Sequence, residues 1–106
     1  MRLKECTSQN VEELVSQPGE LLLHFGTDWC TPCKRLERVL VELLKEERLG
    51  VAVAKVNVED EPELAGRFGV SKNPTLCLLR NGEVAARREG LADADAVLAL
   101  VRGDAD

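Results

Sequence analysis

The chain has 106 residues, 44% of them hydrophobic and 31% charged, which predicts one globular domain over residues 1–106 with a core of its own. Lys and Arg number 14 against 19 Asp and Glu, and this net charge of −5 argues against nucleic acid as a partner. The N-terminal residues lack the apolar core of a signal peptide, and no apolar run is long enough to span a bilayer. We therefore expect a soluble, cytoplasmic protein that does not bind membranes.

The first half of the chain predicts two strands and two helices. Leu3–Cys6 is a candidate edge strand, and Ser8 is a candidate N-cap for a short first helix. The apolar run Leu21–Phe25 is typical of a buried central strand. From Pro32 to Leu49 the apolar side chains recur at helical spacing, and Gly50 is the expected stop.

A third strand and a third helix follow. The β-branched run Val51–Val58 is typical of a second buried strand, and Asp60 is a candidate cap for a helix from Glu61 to Phe68. Strands that are separated by helices need crossover connections, so the strands up to this point are predicted to lie parallel.

The C-terminal part predicts a hairpin and a last helix. Thr75–Arg80 and Glu83–Glu89 flank an Asn81-Gly82 turn, Asp93 caps the helix, and residues 102–106 are expected to fray. The complete order is β-α-β-α-β-α-β-β-α. It predicts an α/β fold with a mixed central sheet of about five strands and helices on both faces.

The strongest motif is the hexapeptide Trp29-Cys30-Thr31-Pro32-Cys33-Lys34, a C-x-x-C between an apolar strand and a helix. Two thiols at this spacing can close as a disulfide and reopen as a dithiol. The helix start favours a thiolate at Cys30, because its free N–H groups and positive dipole end lie there. Pro32 suits this place, since its missing N–H has no helical partner there. The pattern favours dithiol–disulfide exchange.

A zinc site is the alternative reading of the two cysteines. A closed zinc site needs four ligands, and the remaining candidates are Cys6, Cys77 and His24, none of them in a second C-x-x-C. We therefore predict no metal and no cofactor other than the redox-active pair itself. Cys77 is expected to be a buried small hydrophobe and Cys6 to lie near the end of the first strand, with a regulatory thiol as the alternative for either.

The chain resembles the thioredoxin family over nearly its whole length, most clearly from about Leu21 to Val101. The resemblance is carried by motifs in matching order: Phe25, the hexapeptide at 29–34, Lys55-Val56-Asn57-Val58, Phe68-Gly69-Val70, Asn73-Pro74-Thr75, Asn81-Gly82-Glu83 and Gly90. It implies the thioredoxin fold and general thiol–disulfide exchange.

The resemblance also implies roles for individual residues. Cys30 would attack a client disulfide and Cys33 would resolve the mixed disulfide. Pro74 would be cis and face the two cysteines, while Asn73 and Thr75 would offer backbone groups to an extended client segment. Trp29 could be a core aromatic, but because the chain has only three aromatic residues we expect it to be a partly exposed flank of the site that shields Cys30 and contacts the partner.

Three positions near the two cysteines depart from the family pattern, and a fourth residue, Lys55, matches it but is affected by one of them. His24 stands where the family usually has a buried Asp; it is either a proton acceptor for Cys33 or a core histidine. Lys55 therefore lacks its acidic partner and is expected to reach solvent or to pair with Asp28. Thr31 replaces the more usual Gly in a loop to which the dithiol potential is sensitive, and Gly26 replaces a common Trp, which leaves room near the site.

Three functions compete. The first is a protein-disulfide reductase, with disulfide-containing client proteins and a thioredoxin-reductase-like electron donor, acting as a monomer in electron transport and cell redox homeostasis. The second is a binding or chaperone-like module without turnover, which would not need both cysteines. The third is a disulfide oxidase or isomerase, which usually has an extracytoplasmic address. The complete motif favours the first.

Overall fold

A computed structural model describes residues 2–103 of the chain. The elements follow the predicted order: β1 Lys4–Glu5, α1 Val11–Ser16, β2 Glu20–Gly26, α2 Thr31–Lys45, β3 Ala52–Asn57, α3 Pro62–Arg67, β4 Thr75–Arg80, β5 Glu83–Glu89 and α4 Ala94–Arg102. Two of these strands, β4 and β5, have the predicted bounds to the residue.

The strands form one five-stranded sheet in the order β1-β3-β2-β4-β5. β3 pairs in parallel with both β1 and β2, while β4 pairs antiparallel with β2 and β5. The predicted mixed sheet is therefore confirmed. β2 lies at its centre, and its carboxyl end leads directly into α2.

Helices cover both faces of the sheet, and each face has its own core. In the α2/α4 core, leucines of the helices such as Leu36 and Leu40 pack against alternate residues of β2 and β4, such as Leu22 and Leu78. The α1/α3 core contains the strand residues that point to the opposite face, among them Leu23, Phe25 and Cys77. The two-residue period of β2 thus divides its side chains between the two cores.

Two local predictions are confirmed at the C-terminal end. Asn81 and Gly82 both have positive φ, 52° and 85°, as a two-residue hairpin turn requires. The Asp93 carboxylate accepts the N–H of Ala96 at 2.9 Å and caps α4. Gly103 closes α4 in the left-handed conformation, and the rest of the predicted tail, residues 104–106, lies outside the described residues.

The predicted end of α2 is wrong, since the helix stops at Lys45 and not near Leu49. Glu47 takes a positive φ of 56°, the N–H of Arg48 donates to Leu43 at 3.0 Å, and the N–H of Glu47 donates to Leu44 at 3.0 Å. These are the two bonds of a Schellman closure with a non-glycine residue in the left-handed position. Gly50 was the expected stop, yet it lies beyond the closed helix.

The predicted caps of α1 and α3 are also wrong. Asn10 occupies the N-cap position of α1, and its side chain holds the preceding turn by accepting the N–H of Thr7 at 2.7 Å. Ser8 lies inside that turn. Glu61 occupies the N-cap position of α3, and Asp60 belongs to the turn before it.

Candidate active site

Cys30 and Cys33 form a disulfide at the start of α2, with their Cα atoms 5.2 Å apart. Cys30 is the N-cap residue, and its sulfur accepts the backbone N–H of Cys33 at 3.2 Å. Thr31 and Pro32 fill the first turn between them, where a proline costs no hydrogen bond. The same N–H donor and the helix dipole would stabilise a thiolate on Cys30 after reduction.

The two sulfurs differ in their access to solvent. Cys30 is 8% exposed, whereas Cys33 is 2% exposed and packs below the first turn. Trp29, directly before the pair, is 68% exposed, as the sequence predicted for a flank of the site. An incoming disulfide therefore meets Trp29 and Cys30 before Cys33.

Gly26 lets the end of β2 approach Cys33 closely. A Cβ on Gly26 would lie 2.8 Å from Sγ and 3.0 Å from Cβ of Cys33, and 3.6 Å from Cε1 of His24. A side chain there would force Cys33 or the strand to shift. The missing side chain thus lets the Cys33 sulfur and the His24 ring both come within 4 Å of the same point.

His24 is 3% exposed, and neither of its ring nitrogens has a hydrogen-bond partner within residues 2–103. Burial, and secondarily the positive charge of Lys55, lowers the pKa of His24 to about 4. The imidazole is therefore neutral at pH 7 and has a free lone pair. Lys55 lies beside it because the β2–β3 register pairs the two residues.

Of the two alternatives predicted for Lys55, the pair with Asp28 does not form. Its Nζ lies 3.3 Å from a carboxylate oxygen of Glu37, and the pair joins β3 to α2 at a half-buried position. Glu37 was not among the predicted site residues, because it falls outside the apolar positions of α2. The available signal was its spacing, since Glu37 lies one helical turn after Cys33.

A polar cavity of about 190 Å³, partly open to solvent, lies beside Cys33. His24, Thr27, Cys33, Glu37 and Lys55 contribute to its wall. The hydroxyl of Thr27 is also buried without a partner among the described residues. A polar cavity of this size can hold water, which would supply the missing hydrogen bonds.

The segment before β4 lies at the same end of the sheet. The peptide bond Asn73–Pro74 is cis, as expected, and Thr75 pairs with Phe25 at the end of β2. Asn73 is exposed, while the Thr75 side chain is buried and its hydroxyl donates to Lys72 O at 2.7 Å. Pro74 and Thr75 are both buried, so Asn73 is the residue of this segment end that is exposed to a partner.

The remaining cysteines, Cys6 and Cys77, are free and buried. Burial raises the pKa of both thiols, so they stay protonated at neutral pH. Within residues 2–103, no three His, Cys, Asp or Glu side chains are grouped to hold a metal ion. None of the helices in the same part of the chain is long and apolar enough to cross a membrane.

A disulfide at the exposed start of a helix, with its second sulfur packed beneath the first and a cis-proline segment at the same edge of the sheet, defines a thiol–disulfide oxidoreductase. Comparison with known proteins supports this class. The sequence model of the family Thioredoxin matches residues 2–103.

Among curated proteins, thioredoxin of Chlamydia caviae is 37% identical over 99 residues, covering 93% of this chain and 95% of that protein. Thioredoxin of Bacillus subtilis is 35% identical over 101 residues, covering 95% and 96%. Among solved structures, a mutant thioredoxin from Halobacterium salinarum matches with a TM-score of 0.84 at 33% identity, covering 96% of this chain and 88% of that one. The chain belongs to the thioredoxin family, whose members reduce protein disulfides.

Proposed function

We propose that this chain reduces disulfides of client proteins with Cys30 as the attacking and Cys33 as the resolving cysteine. The observation that carries the assignment is the hydrogen bond from the Cys33 N–H to the Cys30 sulfur at 3.2 Å, at the cap of α2. The lower exposure of Cys33 supports the same order. A buried thiol acts after the client has been captured.

The reaction has two exchange steps. The Cys30 thiolate attacks one sulfur of the client disulfide, a Cys30–client disulfide forms, and the other client sulfur leaves as a thiolate. Cys33 then loses its proton and attacks the Cys30 sulfur. The Cys30–Cys33 disulfide forms and the second client thiolate leaves. Two electrons pass to the client, which takes up two protons.

His24 accepts the proton of Cys33 in the second step, directly or through water in the cavity. Three observations support this role: the imidazole is neutral at pH 7, its ring nitrogens are unpartnered within the described residues, and it shares the space beside Gly26 with Cys33. Lys55 opposes a lasting imidazolium, which favours release of the proton. Thr31 and Pro32 set the geometry between the sulfurs and hence the reduction potential.

A client segment binds in extended form across the exposed Trp29 and Asn73, next to the buried Pro74 and Thr75. The exposure of Trp29 and Asn73 supports this surface. Electrons arrive from a thioredoxin-reductase-like donor, and no cofactor beyond the dithiol takes part. The protein works as a monomer in the cytoplasm, where its two free buried thiols would stay reduced.

The test is insulin reduction by the wild type, Cys30→Ser and Cys33→Ser, with dithiothreitol as the electron source. Both variants should lose at least about a thousandfold in turnover, because each step needs its own sulfur. Cys33→Ser alone should accumulate a mixed disulfide with the client. Cys77→Ala is the matched control and should keep wild-type turnover.

Other outcomes would point to the competing functions. A Cys30→Ser variant that is as functional as the wild type would favour the binding module. A potential close to that of strong oxidants, measured against a glutathione buffer, would favour an oxidase or isomerase.

A further inference from the structure

The segment from Phe68 to Asn73 joins α3 to the cis-proline, and three successive residues of it, 71–73, are exposed. In the function proposed above, its last residue contacts the client. A segment of this kind binds a partner well only if its backbone is held in place. Several of the contacts that hold this one come from the end of β5, which has no part in the chemistry.

The main contact is the guanidinium of Arg87. Its Nη1 donates to the carbonyl of Gly69 at 3.0 Å, and its Nη2 donates to the carbonyl of Phe68. One planar fork therefore holds two successive carbonyls just after α3 ends. A Cβ on Gly69 would lie 3.7 Å from both guanidinium nitrogens, so the fork rests directly against this backbone.

Two further contacts extend the same line of support. Glu89, two residues after Arg87 and so on the same face of β5, forms an ion pair with Lys72 at 3.8 Å. The N–H of Gly90 donates to the carbonyl of Pro74 at 2.8 Å. The end of β5 thus meets the segment at its start, near its middle and at its end.

We propose that Arg87 is a positioning residue for client binding: it fixes the backbone of residues 68–74 in the arrangement that an extended client segment needs. This inference rests on the proposed function and deepens it. Arg87 acts on the affinity for protein clients and leaves the reactivity of the Cys30–Cys33 pair unchanged. A purely structural role would lower stability and leave client affinity as it is.

The test compares Arg87→Ala with Arg88→Ala, which removes the same charge one residue away. Arg88 lies on the opposite face of β5, where it lines a groove with Arg35 and Leu91. Rates of insulin reduction are measured against insulin concentration. The reaction of the reduced protein with 5,5′-dithiobis(2-nitrobenzoic acid) reports the dithiol without the client surface. Circular dichroism confirms that each variant is folded at the assay temperature.

Arg87→Ala should raise the KM for insulin by about three- to tenfold and leave the small-disulfide rate unchanged. Arg88→Ala should change neither. Arg87→Lys, which keeps the charge but loses the fork, should give an intermediate KM in a fully folded protein.

An unchanged KM in Arg87→Ala, with or without a lower melting temperature, would overturn the proposal. An equal rise of the KM for insulin in Arg88→Ala would also overturn it, because the effect would then not be specific to Arg87. So would an equal fall of the small-disulfide rate in Arg87→Ala, because the effect would then lie in the dithiol. Failure of the wild type to reduce insulin would instead refute the proposed function, so the two failures are distinguishable.

Discussion

Two ends of one strand face the same helix and serve different purposes. Along β2, Leu22, His24 and Gly26 project in turn toward α2. Leu22 is fully buried among leucines of the α2/α4 core. Two residues on, His24 is also buried but has no hydrogen-bond partner among residues 2–103, and Gly26 allows Cys33 to approach the strand closely. Within about 14 Å of strand the environment changes from close packing to an unsatisfied polar cavity.

The difference shows where this fold gives up stability for chemistry. Buried polar groups without partners and unfilled space both cost free energy, and natural proteins concentrate such costs at functional sites. In β2 the unpartnered polar group and the cavity both occur at the carboxyl end, beyond the leucines that pack in the cores. The two ends should therefore respond differently to substitution.

The largest expected effect on stability is at the packed end. Leu22→Ala should lower the free energy of unfolding by about 2–5 kcal/mol, because it removes buried apolar contacts and leaves a cavity. Insulin reduction by the folded variant at 25 °C should stay within about twofold of the wild type. Urea unfolding and the turnover assay measure the two quantities. A large loss of turnover in folded Leu22→Ala would mean that the two ends are coupled.

At the polar end, His24 should make stability depend on pH. Its folded pKa of about 4 lies below the ordinary value of 6.5, so between these values the unfolded chain binds the extra proton. Stability should therefore fall as the pH drops from 7 to 4, by about 3 kcal/mol from this residue.

His24→Leu isolates that contribution, because the chain has one histidine. The wild type should lose about 3 kcal/mol more than His24→Leu between pH 7 and pH 4 in urea unfolding. Parallel stability curves for the two proteins would contradict the assignment. If His24 accepts the proton of Cys33, the variant should also resolve mixed disulfides more slowly at pH 7.

A smaller effect is expected at Gly26. Gly26→Ala should cost about 1–3 kcal/mol, because the new methyl group would overlap Cys33 and move the start of α2. The reduction potential should shift as well. Gly66→Ala is the matched control, since nothing lies near its Cβ and alanine favours a helix; it should stabilise by up to about 1 kcal/mol. If both variants changed the free energy of unfolding equally, the close approach of Gly26 to Cys33 could not be the cause.

Much of this fold could be predicted from local patterns. The Asn81-Gly82 turn and the Asp93 cap are short-range signals, and both are confirmed with the geometry that motivated them. The order of parallel and antiparallel strands followed from which connections contain a helix. The dithiol could be located because its motif spans four consecutive residues.

Contacts between distant elements could not be predicted. The Lys55–Glu37 pair depends on how α2 lies across β3, which no short window of sequence contains. The early end of α2 depends on Glu47 in a left-handed conformation. This conformation is uncommon for a glutamate, and Gly50, three residues later, is the more obvious stop signal. The caps of α1 and α3 were misplaced by one or two residues, because Ser8 and Asp60 lie in the turns that precede these helices.

The four cysteine sulfurs of this chain lie at different depths, so the rate at which each is alkylated reports a different extent of opening. After reduction, an alkylating reagent would reach Cys30 in the native state and Cys33 more slowly. Cys77, in the interior strand β4, would be labelled only when the whole sheet separates. Counting labels by mass over time would then record catalytic readiness and global unfolding from a single sample.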